Sequence, residues 1–150
     1  MIIERLKELG YAYEPAPLEV LDFHQAVRTG NLIYTSGQVS NHSQTPIKGK
    51  VGEDVALETA YKAAEICAFN CLKAVGAIAD INDIVKVVKV LGMVNVGKDF
   101  NNTSGVINGA THFFNSLFPG GSHARSAVGM VIPGNWAVEI EIVVEMKPAS

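Results

Sequence analysis

Ile84-Val85-Lys86-Val87-Val88-Lys89-Val90-Leu91-Gly92-Met93-Val94-Asn95-Val96 is the densest run of β-branched residues in the chain. Such side chains favour extended backbone, where they pack on a pleated surface. Successive side chains of a strand point to opposite faces. Val85, Val87, Leu91 and Met93 then share one side, and Ile84, Val88, Val90 and Val94 share the other. A strand apolar on both sides is covered on both faces. Whatever surrounds this segment has to supply two layers of cover.

A helix is expected on each side of it in the chain. From Glu53 to Val75, the residues Leu57, Ala60, Ala64, Cys67, Cys71 and Val75 recur at spacings of three and four, which gives one apolar helical face. Glu53 and Asp54 place acid at its start, as the helix dipole favours, and Gly76 is a natural stop. The small residues along it allow a close approach to a sheet. The second helix runs from about Thr103 to Phe118, with Val106, Ala110, Phe113 and Leu117 inward and Pro119-Gly120-Gly121 ending it.

Strands lie further out. Phe23 to Val27 and Leu32 to Gly37 read as a hairpin around Thr29-Gly30-Asn31. Ala124 to Val131 and Ala137 to Met146 read as a second pair around Pro133-Gly134-Asn135, and Asn41 to Gly52 reads as a polar loop. Residues 2–9 suit a short amphipathic helix ending at Gly10, and Pro15 and Pro17 enforce an extended arm up to about residue 20. The pattern is α+β: one domain over 1–150, with a mixed sheet and two long helices on one face. Two helices cover only one face. A homo-oligomer that packs sheet on sheet is the economical cover for the other.

At 150 residues the chain can bury a sizeable core, and 48% apolar against 18% charged residues is rich for a monomer. The net charge of −3, with no basic run, argues against general nucleic-acid binding. Cys67 and Cys71, four apart in one helix, have poor geometry for a disulfide and suit a reducing compartment. The first residues carry charges where a secretory signal needs an apolar core, and no run is long enough to span a bilayer. A soluble, cytoplasmic protein is expected. His24, His42 and His112 lack metal-ligand spacing, and no glycine-rich strand-to-helix turn marks a phosphate site. Neither a zinc site nor a phosphate loop is expected.

Chemistry concentrates near the C-terminus, in His123-Ala124-Arg125-Ser126-Ala127-Val128-Gly129 and Ala137-Val138-Glu139-Ile140-Glu141-Ile142-Val143-Val144-Glu145. Arg125 stands at the mouth of a strand, and its planar fork can grip a carboxylate with two hydrogen bonds. Alternation puts Glu139, Glu141 and Glu145 on one side of the next strand, and a glutamate near the arginine could hold and polarise water. The pair suggests a site for a small anionic metabolite, with hydrolysis as its chemistry. The plainer alternatives are a structural ion pair for Arg125 and a solvated or interface face for the glutamates. His123 either enters the cleft, where it would titrate near neutral pH, or is a loop histidine without a role.

The chain resembles the RidA family, also called the YjgF or endoribonuclease L-PSP family. The resemblance is carried by Gly30-Asn31-Leu32-Ile33-Tyr34-Thr35-Ser36-Gly37-Gln38-Val39, by Asn108 with Phe114, by Ala124-Arg125-Ser126 and by Val138-Glu139-Ile140-Glu141. The resemblance is closer to a longer branch of the family, with an extra N-terminal helix and the His123-to-Gly129 signature. The resemblance implies a chorismate-mutase-like fold and a homotrimer whose sheets form a central barrel, with clefts between subunits. It implies hydrolysis of enamines and imines such as 2-aminoacrylate and 2-iminopropanoate to a 2-keto acid and ammonia, without cofactor. Carried over by position, Arg125 clamps the substrate carboxylate, Glu139 orients water as general acid/base, and Ser36, Phe23, Asn108 and Ala127 line the pocket. Two positions depart: Phe23 stands where the family has a tyrosine, and Ala127 where it has a cysteine. A non-catalytic carboxylate sensor is the second reading, and a ribonuclease or translation inhibitor the third.

Overall fold

The computed structural model describes residues 1–19 and 22–149. In chain order the elements are helix α1 (Ile2–Glu8), strands β1 (Ala26–Thr29) and β2 (Leu32–Thr35), short strands β3 (Gln38–Val39), β4 (Asn41–His42) and β5 (Thr45–Pro46), helix α2 (Leu57–Gly76), strand β6 (Ile84–Asn95), helix α3 (Thr103–Leu117), and strands β7 (Ala124–Met130) and β8 (Val138–Met146). The main sheet runs β1-β2-β8-β6-β7, with β3 also paired to β8. β6 and β7 are parallel, as a crossover through α3 requires, and the other pairs are antiparallel.

This order corrects the expected pairing of the last two strands. β6 lies between β7 and β8, so the arginine strand and the glutamate strand are not neighbours. The connector between them passes over the end of β6, where the Val96 amide donates to the Met130 carbonyl and the Asn95 amide to the Ala137 carbonyl. β7 is left as a sheet edge.

Three boundaries also differ from expectation. β1 begins at Ala26, which leaves Phe23 outside the strand. α2 begins at Leu57 because residues 50–55 form a turn of their own. In that turn the Asp54 carboxylate accepts from the Lys50 amide and the Glu53 carboxylate accepts from the Lys98 amide, so neither acid caps the helix. Leu57 accordingly lies at the surface and off the core face. The expected polar loop contains the small β4–β5 hairpin.

β6 departs from strict alternation. Register shifts between Ile84 and Lys86 and between Val87 and Lys89 mark bulges, each of which re-aims the residues around it. Val87 thereby turns into the core with Val90 and Val94, while Val85 faces outward. α2 and α3 pack on the core face of the sheet. The thiols of Cys67 and Cys71 each lie 3.3 Å from a β8 carbonyl, of Val138 and Ile140, a closeness that only small side chains permit. Burial pushes both thiols well above their ordinary range, which leaves them unreactive packing groups.

The two long helices meet at Gly109. A Cβ built there would overlap the Tyr61 carbonyl oxygen and stand 3.3 Å from Ala64 Cβ. Backbone on the facing helix cannot rotate away. Gly109→Ala is therefore expected to destabilise the fold by about 1–3 kcal/mol, as overpacking does. A melting temperature equal to that of the wild type would show that the helices are free to part.

The opposite face of the sheet carries Leu91, Met93, Val143, Tyr34 and Val128, the last two 47% and 38% exposed. Neither long helix reaches it. Among the described residues, no helix is long and apolar enough to cross a membrane.

Candidate functional site

Arg125 is placed by edge strand β7 and held by α3. The register pairs it with Val90, a core-facing residue, so its side chain lies on the helix side of the sheet. One terminal nitrogen donates to Asn108 Oδ1 at 2.9 Å and to Thr111 Oγ1 at 3.0 Å. The other donates to the Ser104 carbonyl at 3.4 Å. All three partners lie along one face of α3. A guanidinium carries five N–H groups, so donors remain for a ligand. Among the described residues, no carboxylate pairs with Arg125. The structural ion pair considered as its plainer explanation is absent there. Ala127 shares this side of β7, where its carbonyl accepts from the Thr103 hydroxyl at 3.0 Å and its methyl packs on the core.

Glu139 belongs to a different surface. Val138, Ile140, Ile142 and Val144 take the core face of β8, which puts Glu139, Glu141 and Glu145 together on the outer face, as alternation anticipates. Glu139 sits opposite Met93 of β6 and Val39 of β3. Its carboxylate lies over the backbone of Gly37, where a Cβ would overlap Oε2. Burial raises its pKa above the usual carboxylate value, and the neighbouring Glu141 raises it further. A carboxylate resting on bare backbone invites a direct test. Gly37→Ala is expected to displace Glu139 while leaving the fold intact, lowering any Glu139-dependent activity at least about tenfold. Unchanged turnover would separate Glu139 from the chemistry.

Ser36 follows β2 directly and ties down the segment that carries Phe23. Its hydroxyl donates to the His24 carbonyl at 2.6 Å and its amide to the Gln25 carbonyl at 2.8 Å. Phe23 itself is 62% exposed.

The residues singled out from the sequence thus fall into two groups. Arg125, Asn108 and Ala127 lie at the β7–α3 edge. Glu139, with Gly37 and Ser36 beside it, lies near β3 on the other face. Arg125 and Glu139 are two strands and three register positions apart, about 14 Å between Cα atoms at normal sheet spacings. They cannot meet on one substrate within one chain. Thr111 and Ser104 escaped the sequence reading, although their spacing from Asn108 places all three on one helix face.

A concavity beneath the N-terminal arm, lined by Ile3, Lys7, Tyr11, Tyr13 and Glu14, holds none of these residues. Among the described residues, no three or more His, Cys, Asp or Glu side chains converge as a metal site would need.

The endoribonuclease L-PSP family model matches residues 14–146, and the chain belongs to this family, the YjgF or RidA family. It is 31% identical over 137 residues, 88% of this chain and 91% of the other, to a Dermatophagoides farinae protein named 2-iminobutanoate/2-iminopropanoate deaminase. It is 29% identical over 151 residues, 97% of this chain and 94% of the other, to protein TCP17 of Trypanosoma cruzi. A crystal structure of an Agrobacterium tumefaciens protein of unknown function superposes with a TM-score of 0.88 at 38% identity, covering 97% of this chain and 92% of that one. The mixed α+β fold is that of the family, and imine deaminase activity is found at family level.

Proposed function

We propose that this chain is an imine deaminase that converts small 2-imino acids and their enamine tautomers to 2-keto acids and ammonia, in a cleft shared by neighbouring copies of a homotrimer. The observation that carries the reading is Arg125: a half-buried guanidinium, oriented by α3, with donors left over and no carboxylate partner among the described residues. A ligand carboxylate is the natural occupant of such a fork. The deaminase name of the Dermatophagoides farinae relative supplies the chemistry.

The placement of Glu139 supports a shared site. Arg125 and Glu139 lie on opposite faces of one sheet, so a second copy is the economical way to bring an arginine and a glutamate together. The outer face also carries apolar side chains that a partner sheet would cover. In the assembled cleft, Arg125 of one copy holds the substrate carboxylate, while Asn108 and Ala127 wall it in. Glu139 of the neighbouring copy accepts a proton from water as that water attacks the imine carbon. The C=N bond becomes a C–O and a C–N single bond, giving a carbinolamine. The proton taken from water passes to nitrogen to complete the carbinolamine; the hydroxyl proton then follows to nitrogen through Glu139, and ammonia leaves as the carbonyl forms. Orientation alone can remove several kcal/mol from such a barrier. Phe23 in place of a tyrosine keeps a ring over the pocket and removes a hydroxyl, and Ala127 in place of a cysteine leaves only backbone to offer. Both changes bear on which imine fits.

The ribonuclease reading has the family's older name behind it and little else. His112 pairs with Tyr61, His123 with Thr111, and His42 packs on Tyr11 and Phe69, so these three do not converge on a phosphate. The test of the proposed function is a freshly generated 2-aminoacrylate and 2-iminopropanoate mixture, with pyruvate release followed over time. Release faster than in protein-free buffer is the expected result. Equal rates would overturn the deaminase reading and leave the carboxylate sensor.

A further inference from the structure

His123 does not hang free beside the cleft. Its Nε2 is 2.9 Å from Thr111 Oγ1, and the same Thr111 oxygen is 3.0 Å from a terminal nitrogen of Arg125. The His123 ring stands edge-on against Phe114, 6.0 Å between centroids, which fixes its approach to Thr111.

We propose that Thr111 and His123 are positioning residues for Arg125: a two-step hydrogen-bonded relay that sets which edge of the guanidinium is turned to the substrate carboxylate.

Donor and acceptor counting fixes the first step of the relay. Arg125 can only donate, so Thr111 Oγ1 accepts from it. The relay gives the single hydroxyl hydrogen to His123 Nε2, 2.9 Å away. The proposed relay therefore has His123 neutral, with Nε2 as acceptor and the proton on Nδ1. Burial and, after it, the charge of Arg125 lower the His123 pKa from its usual value, in keeping with a neutral ring. Arg125 is the charged neighbour from β7. From α3, the nearby His112 is turned away to the Tyr61 hydroxyl, and no carboxylate among the described residues pairs with His123.

The consequence lies in the geometry of the fork. The nitrogen that meets Thr111 also meets Asn108 Oδ1, so both of its hydrogens are spent on α3. The other terminal nitrogen gives one hydrogen to the Ser104 carbonyl, so its second hydrogen and the Nε–H form the edge left to face a carboxylate. Without the Thr111 acceptor the guanidinium keeps Asn108 and the longer contact to the Ser104 carbonyl but loses the tie to Thr111, and the alignment of that edge loosens.

The inference rests on Arg125 being a carboxylate clamp, so the experiment carries two independent readouts. Nitrogen-15 NMR of the histidine rings in the intact oligomer is expected to show His123 as the Nδ1–H tautomer at neutral pH, with that preference lost in Thr111→Val. Calorimetry with 2-oxobutanoate is expected to show about tenfold weaker binding for Thr111→Val and binding within about twofold of wild type for Thr111→Ser, as a hydrogen bond to a charged group predicts. His123→Phe keeps the ring against Phe114 but removes the acceptor, and about threefold weaker binding is expected. An Nε2–H tautomer in the wild type, or Thr111→Val binding as tightly as wild type, would overturn the relay. Should the wild type bind no 2-oxobutanoate, the deaminase reading fails. The Thr111-dependent tautomer would then still support the relay to Arg125, and its absence would still overturn it.

Discussion

Arg125→Ala is expected to lower kcat/KM for 2-iminopropanoate by about 10²–10³, the loss of a charge-assisted, two-point grip together with the orientation it gives. Arg125→Lys should recover little of this, because an ammonium is a point charge without the fork. Both variants should fold normally. The partners released on α3, Asn108 and Thr111, are half-buried side chains that water can reach, so no polar group is stranded in the core. The checks are steady-state pyruvate release and thermal melting on the same preparations. A loss of activity matched by a loss of fold would show that Arg125 is structural. Wild-type activity in Arg125→Ala would remove the clamp from the mechanism.

Glu139→Gln keeps the shape over Gly37 and removes the base. A fall in kcat of about 10²–10⁴ is expected, the usual contribution of a positioned acid–base group, with 2-oxobutanoate binding retained. The pH dependence follows from the same residue. The working form is the carboxylate, so activity should fall as pH drops through the Glu139 pKa. Burial and Glu141 both raise that pKa, which moves the acid limb upward from the ordinary carboxylate range. Glu141→Gln removes the like charge and should shift the limb to lower pH without lowering the plateau. A limb that stays in place would mean that another group titrates.

The helical faces and the long strand were legible because burial imposes a period. Val106, Ala110, Phe113 and Leu117 are all core residues of α3, and Ala60, Ala64, Cys67, Cys71 and Val75 are all core residues of α2. Strand pairing was less legible. Ala124–Met130 and Val138–Met146 adjoin in sequence and look like a hairpin. Yet β6 already holds β7 in parallel through α3, and β8 returns on its far side. Side-chain alternation does not record which strand lies next to which. The bulges in β6 were hidden for a related reason. Val85 and Val87 are chemically alike, and only the ladder with β8 shows that one faces outward and the other inward.

The candidate site was legible as a set of residues but not as a geometry. Arg125, Asn108, Ser36 and Glu139 could each be picked out by motif. That they divide between two faces depends on the intervening strand, which the motifs do not encode. Glu53 and Asp54 show the same limit on a smaller scale. Their acidity suits a helix start, but a backbone amide of the preceding turn claims Asp54 and the Lys98 amide claims Glu53. Thr111 and His123 were missed as a pair because neither residue type is distinctive alone, and the link between them runs through a third side chain.

The central claim is that Arg125 and Glu139 act on one substrate from different copies of the chain. Arg125→Ala and Glu139→Gln, each inactive alone, can be co-expressed in equal amounts and the mixed oligomers purified. Each cleft then draws its arginine and its glutamate independently, and activity should return to about a quarter of wild type in any closed ring of copies. Activity that stays at the floor of the single variants, in oligomers shown to be mixed, would contradict the account.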